Sequence, residues 1–393
     1  MNKPELLAPC KNFAVLHSAV ENGADAVYFG VEKFNMRMNA DNFKIEDLKK
    51  IARYCHSHNV KCYLTTNIII YENEIKEIEG LIKKAKTAGI DAVIVHDLAV
   101  IEIAKKVGIP FHISTQANVS NSVSLNFYKK LSADRVILAR ECSLKQIKEI
   151  IKKSKIGIEI FIHGAMCVSV SGRCFFSQNF YRKSANRGEC MQSCRQKWNV
   201  KNENGEMIYD GKMFLNAKDL CMIEHINKLM KMGAVSFKIE GRMKDADYVS
   251  TVVRVYREAI DNFDRKKIPI WKKELESVFN RGFCTGFYFE RPDNEVDLEK
   301  SGNMSSLKKS SLGTVKKYYP KISTAEIQLF HSGIKRGDLI VIEGKNTFLK
   351  QTAESIEINH KKIKKAGKGK LIALKVNGRV REGDNVYIMK KIL

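Results

Sequence analysis

The chain has 393 residues, 44% of them apolar, enough for one large and one small domain around a sizeable core. No apolar run approaches the length of a membrane span, and the opening MNKPELLAPC lacks the apolar stretch of an export signal, so the expectation is a cytoplasmic protein with no membrane partner. Lys and Arg number 68 against 44 Asp and Glu, a formal +24, which excludes an acidic solvating chain and favours a polyanion whose phosphates those cations neutralise.

From the N-terminus, short apolar runs alternate with helical patterns. Strands are predicted at Glu5–Cys10, Ala26–Gly30, Cys62–Ile70, Ala92–Asp97, Pro110–Ala117, Arg135–Arg140, Ile158–Gly164 and Ser236–Gly241. Helices are predicted between them, at Ile45–His58, Asn73–Ala88 and, capped by Ser143, Ser143–Lys153. Such alternation specifies a parallel sheet with helices outside, and eight strands point to a closed (β/α)8 TIM-like barrel. One phrase recurs: NGADAVYFG at 22–30, AGIDAVIVH at 88–96, SADRVILAR at 132–140 and MGAVSFKIEG at 232–241 each leave a helix, turn and enter a buried strand. No Gly-rich phosphate loop follows the first strand, which argues against an open dinucleotide-binding sheet.

A long Cys-rich insertion, 164–217, separates the seventh and eighth strands and leaves the end of a barrel strand where this fold builds its sites. The barrel with this insertion is expected to occupy 1–265, and a helix and linker 266–311. A small basic β-barrel should fill 312–393, with turns at Gly337-Asp338 and Gly383-Asp384. Residues 301–393 hold 20 basic and 7 acidic side chains, so more than half of the charge excess sits on under a quarter of the chain.

Ten cysteines without an export signal suggest metal binding or redox chemistry rather than disulfides. Within the insertion, six residues separate Cys167 from Cys174, fifteen more precede Cys190 and three precede Cys194; Cys221 follows in AKDLCMIEH. Four thiolates suit an iron–sulfur cluster or a closed zinc site, and the absence of paired CxxC knuckles leans toward the cluster. Arg173, Arg182, Arg187 and Arg195 lie among Phe175, Phe176, Phe180 and Tyr181, a mixture that can hold an unpaired base by stacking while neutralising its phosphates, or can simply anchor a long loop. At the strand ends, Arg140, Glu141, His163, Glu240 and Arg242 are candidates for catalysis, the two arginines as carboxylate clamps and His163 equally as a core histidine. No HExxH and no GxSxG occurs, and no activated Cys–His pair is evident.

The stretches ELLAPC, EIFIHGAMCVSVSGRC, ANRGECMQSCR, AKDLC, FKIEGRMK and FNRGFCTGFY resemble the collagenase-like peptidase family U-32, in order over about the first 290 residues. Phe176 stands where that pattern has a smaller aliphatic residue. The resemblance implies a (β/α)8 protein with a 4Fe–4S cluster on Cys167, Cys174, Cys190 and Cys221, with Cys194 competing for the fourth place. It also implies oxygen-independent hydroxylation of tRNA, ribosomal RNA or the ubiquinone ring. Length and the basic tail resemble most the branch that forms 5-hydroxyuridine at the tRNA wobble position, linked to prephenate or a related carboxylate metabolite. A partner chain of the same family is a further expectation. The competing readings are a peptidase without an identifiable nucleophile and a non-enzymatic RNA scaffold.

Overall fold

The computed structural model describes residues 3–289 and 302–392; residues 290–301, part of the expected linker, lie outside the described residues. Eight parallel strands form the barrel: β1 (Glu5–Pro9), β2 (Ala26–Phe29), β3 (Lys61–Thr66), β4 (Ala92–Val95), β5 (Phe111–Ile113), β6 (Arg135–Ile137) and β7 (Gly157–Ala165), with the eighth following the insertion. The insertion holds β8 (Trp198–Lys201), β9 (Met207–Lys212) and β10 (Asp219–Cys221); β11 (Ser236–Ile239) then closes the ring by pairing with both β7 and β1. The intervals carry α1 (Phe13–Glu21), α2 (Leu48–Ser57), α3 (Ile75–Ala88), α4 (Leu98–Val107), α5 (Ser122–Lys130) and α6 (Leu144–Lys153). Beyond β7 come α7 (Phe176–Tyr181), α8 (Ile226–Met230), α9 (Ala246–Asp261) and α10 (Ile268–Glu276). Strands covered on both faces need apolar residues throughout, and β2, β4 and β11 are buried at every position.

Local chemistry sets the joints. Ser143 caps α6 as expected: its hydroxyl accepts from the Gln146 amide, and the Gln146 side chain accepts from the Ser143 amide at 2.8 Å. The recurring phrase has a physical role. Asp25, Asp91 and Asp134 each accept from a backbone N–H in the first two residues of the preceding strand, at Leu6 (2.8 Å), Cys62 (2.8 Å) and Phe111 (3.1 Å). Each aspartate also gives its own N–H to the carbonyl of that same residue, so one side chain clamps two consecutive units. Val235 stands in the corresponding place of the fourth phrase, which therefore keeps the rhythm but not the clamp.

β7 runs past the barrel, and β10 returns antiparallel along its extension, pairing Asp219 with Ala165 and Cys221 with His163. A further short strand, β12 (Phe283–Cys284), pairs in parallel with β10.

The C-terminal residues form an antiparallel eight-stranded sheet around a second core that includes Leu312, Val315, Ile327, Ile340 and Val386. Both Gly-Asp turns are present and built alike: Gly337 and Gly383 have φ near +90°, and Asp338 and Asp384 accept from the amides of Lys335 and Arg381. This unit rests on the start of α9, where Lys309 pairs with Asp245 and Lys350 with Asp247, each at 2.8 Å. Among the described residues no helix is long and apolar enough to cross a membrane.

Candidate functional site

The insertion folds over the C-terminal mouth of the barrel and encloses a cavity of about 180 Å³, far beyond the volume that one water needs. Cys167, Cys174, Cys190 and Cys194 all line it. They share one electrostatic environment: burial raises the Cys194 thiol, Arg195 opposes this, and Cys167, Cys190 and Cys174 add to the rise. Cys221 is elsewhere. Antiparallel pairing of β10 turns its sulfur toward the core, 3.8 Å from the Tyr256 hydroxyl, and burial holds that thiol up at about 11. The structure therefore gathers the first three expected cysteines with Cys194 and leaves Cys221 out of the cavity lining.

Spacing bears on which metal group these thiols fit. Four thiolates on one zinc at about 2.3 Å stand about 3.8 Å apart. Among the described residues, the one set of three His, Cys, Asp or Glu donor atoms within 4.8 Å of one another is His56, Cys62 and Asp91, on the opposite end of β3. Among the described residues, no three of the cavity thiols bring their sulfurs within 4.8 Å of one another.

Two turns place these sulfurs. Gly188, two residues before Cys190, has φ +90°, and a Cβ there would meet the Asn35 carbonyl oxygen at 2.1 Å. Ser171, between Cys167 and Cys174, is also left-handed at φ 42°. Glu141 holds it, accepting from its amide at 2.7 Å and lying 2.9 Å from its hydroxyl.

Charge is lopsided. Five basic side chains line the cavity (Arg37, Arg140, Arg195, Lys244 and Arg281) against Glu141 and Glu240. Glu240 pairs with Arg37 at 3.0 Å and with Arg140 at 3.8 Å. Burial alone would raise its carboxyl, but the two guanidiniums outweigh burial and hold it down at about 2. Arg140 also donates to the Ala165 carbonyl at 2.6 Å and lies over the Phe161 ring. Two expected participants lie deeper. Arg242 is buried and bonded to Asn35, Thr65 and Asn42, and it lines a smaller cavity with Arg37, Arg140 and Glu240, its Nε without a hydrogen-bond partner among the described residues. His163 is buried beside Tyr256, 3.3 Å from its hydroxyl, and burial pushes its imidazole down to about 3.

The four expected RNA-facing arginines divide. Arg173 and Arg182 are exposed and pair with no carboxylate among the described residues. Arg187 instead grips Glu74 with both terminal nitrogens and donates to the Ile69 carbonyl. Arg195 ties the insertion together through Asn216, Ala217 and the Met166 carbonyl. Exposed apolar side chains stand next in sequence to lining residues, Phe175 (70% exposed) beside Cys174 and Val170 beside Ser171. Sequence reasoning missed Arg37 and Lys244. The FNMRMN run after β2 and the end of FKIEGRMK were the available signals, each a basic residue at the C-terminal end of a barrel strand.

Comparison with known proteins decides the family. A family model described as peptidase family U32 matches residues 11–298. The chain belongs to peptidase family U32. An uncharacterized protease of Methanocaldococcus jannaschii is 45% identical over 99% of both chains. A protein of Porphyromonas gingivalis named collagenase is 38% identical over 100% of this chain and 99% of that one. The tRNA hydroxylation protein P1 of Bacillus subtilis is 40% identical over 75% of this chain and 73% of its own. Like these U32 relatives, the chain is an enzyme.

Proposed function

We propose that this U32 protein hydroxylates RNA, converting the tRNA wobble uridine to 5-hydroxyuridine with a 4Fe–4S cluster and prephenate or a related carboxylate metabolite. The observation that carries this reading is the meeting of four thiols with a cationic cavity. Cys167, Cys174, Cys190 and Cys194 would hold the cluster, which when bound supplies one-electron chemistry beside the cavity. The chain's own residues do the rest. Arg37 and Arg140, sharing one carboxylate between them, keep net positive charge for an anionic metabolite. Phe175 and Phe180 offer faces on which a base from a single-stranded loop can stack, and Arg173 and Arg182 reach its phosphates. The basic C-terminal sheet, with Lys361, Lys362, Lys365 and Lys368 exposed, adds grip on the rest of the RNA. A partner chain of the same family is compatible with this arrangement but is not needed to fill the cavity.

The names of two relatives favour a second reading, peptidase action. Within the described residues, no histidine bonds to a serine or cysteine of the cavity, so a nucleophile would lack its base.

The test is anaerobic expression followed by RNA nucleoside mass spectrometry in cells lacking the gene. An oxygenated uridine should vanish with the gene, return with the wild type and not return with Cys174→Ser. Unchanged nucleosides together with cleavage of gelatin by the purified protein would reverse the assignment. Iron and sulfide content should fall in the Ser variants of Cys167, Cys174, Cys190 and Cys194 and survive in Cys221→Ser. Retention in Cys194→Ser with loss in Cys221→Ser would restore the other quartet.

A further inference from the structure

Lys244 follows β11 and precedes the cap of α9, in a tight turn closed by its amide on the Gly241 carbonyl at 2.8 Å. Its side chain lines the cavity with its ammonium nitrogen 3.0 Å from the centroid of the Phe279 ring. No carboxylate or other acceptor bonds that nitrogen among the described residues. The two acids whose charge acts on it are already engaged: Asp219 with Arg281 at 3.3 Å, and Asp245 with Lys309 at 2.8 Å. Arg281 and Arg195 face the same space and add positive charge. Burial, with these guanidiniums, pushes the amine down to about 7 against the opposing pull of the two aspartates. Such an amine, lone pair available in a cavity rich in guanidinium, has a defined chemistry.

We propose that Lys244 is a covalent site, its amine condensing with the carbonyl of a carboxylate-bearing ketone or aldehyde bound in the cavity. The amine nitrogen attacks the carbonyl carbon, the C=O π pair moves to oxygen, and a proton passes from nitrogen to that oxygen. Loss of water leaves a C=N bond, and water reverses the step; nothing is oxidised or reduced. The excess of cationic over acidic side chains around the cavity favours the carboxylate, as Phe279 and Tyr248 shield the amine from bulk water. Only the carboxylate of the ligand is carried over from the function proposed above; imine formation is separate from RNA modification.

The experiment treats the purified full-length protein, kept anaerobic, with pyruvate and sodium cyanoborohydride at pH 7, then maps lysine adducts by peptide mass spectrometry. Lys244 should carry at least about tenfold more adduct than an average lysine, because exposed lysines are almost wholly protonated at that pH. Lys244→Arg should abolish this signal, and excess malonate should suppress it in the wild type. Even labelling across the surface lysines would overturn the proposal, and the wild type alone gives that answer if the variant folds poorly. Equal enrichment with propanal would overturn the carboxylate preference. Trapping in a protein that modifies no RNA would remove the hydroxylase reading alone; RNA modification without trapping would remove only the role of Lys244.

Discussion

Glu141 spends both carboxylate oxygens on Ser171, one on the amide at 2.7 Å and one on the hydroxyl at 2.9 Å. Ser171 is left-handed, a conformation that costs a non-glycine residue about 1 kcal/mol or more. A residue at the end of a barrel strand thereby sets the path of the loop between Cys167 and Cys174. Glu141→Ala should lose roughly 1–3 kcal/mol and raise amide exchange across 167–175. Ser171→Gly should cost less, since glycine adopts that φ freely. Unchanged exchange in Glu141→Ala would mean the loop is held by something else.

The arginines of the insertion should separate into two phenotypes. Arg173→Ala and Arg182→Ala should leave the melting temperature within a degree or two while weakening RNA binding, each reducing the salt slope by about 1. Arg187→Ala breaks a two-pronged pair with Glu74 whose side chains are about four-fifths buried, and should destabilise the fold by about 2–3 kcal/mol. Parallel thermal melts and salt-dependent RNA titrations read both. Equal loss of stability in all three would erase the distinction.

Glu240 is the shared counterion of Arg37 and Arg140. Glu240→Gln keeps the shape and removes the charge, leaving two buried guanidiniums facing each other's field. A loss of roughly 3 kcal/mol is expected. Millimolar malonate should recover more of the melting temperature in this variant than in the wild type, because an added dianion can take the vacated role. An equal response in both proteins would place the anion site elsewhere.

A buried charge network inside the barrel makes stability depend on pH. Glu159 pairs with Lys238 at 3.0 Å and with Arg135 at 3.1 Å, and Arg135 continues to Glu5 at 2.5 Å. Burial would raise the Glu159 carboxyl, but Lys238 and Arg135 prevail and hold it at about 2. Burial, with Arg135 adding to it, lowers the nearby His112 imidazole to about 3. Unfolded histidine takes up its proton near 6.5 and unfolded glutamate near 4.3. Below those values the unfolded chain binds more protons than the folded one, so stability must rise with pH. The His112 contribution is complete above about 6.5 and is lost as pH falls toward 3; that of Glu159 is complete above about 4.5 and is lost toward 2. His163, held equally low by burial, adds the same dependence, so urea unfolding should show a slope of up to ~1.4 kcal/mol per pH unit from each of the two histidines between pH 6 and 5. His112→Gln should remove about half of it.

Much of the barrel could be read from the chain alone, because periodicity and caps are local. Ser143 announces α6 by its own side chain, and the aspartates of the recurring phrase announce strand starts. The site was harder, because its chemistry is made by partners distant in sequence. Arg187 resembles an RNA contact until Glu74, from the β3–α3 connection, meets it. Cys221 stands ahead of Cys194 as the fourth ligand until β10, antiparallel to β7, is seen to leave Cys221 out of the cavity that Cys194 lines. Lys244 is an ordinary surface lysine until Phe279 arrives from beyond α10 to cover it.

The insertion starts from the end of β7 and comes back along that same strand as β10. Both of its feet stand on one plank, Arg187 bolts its middle to the rim at Glu74, and Arg195 lashes its two ends together. A roof fastened in this way makes the width and charge of its doorway, rather than the opening of a flap, the expected filter on what enters.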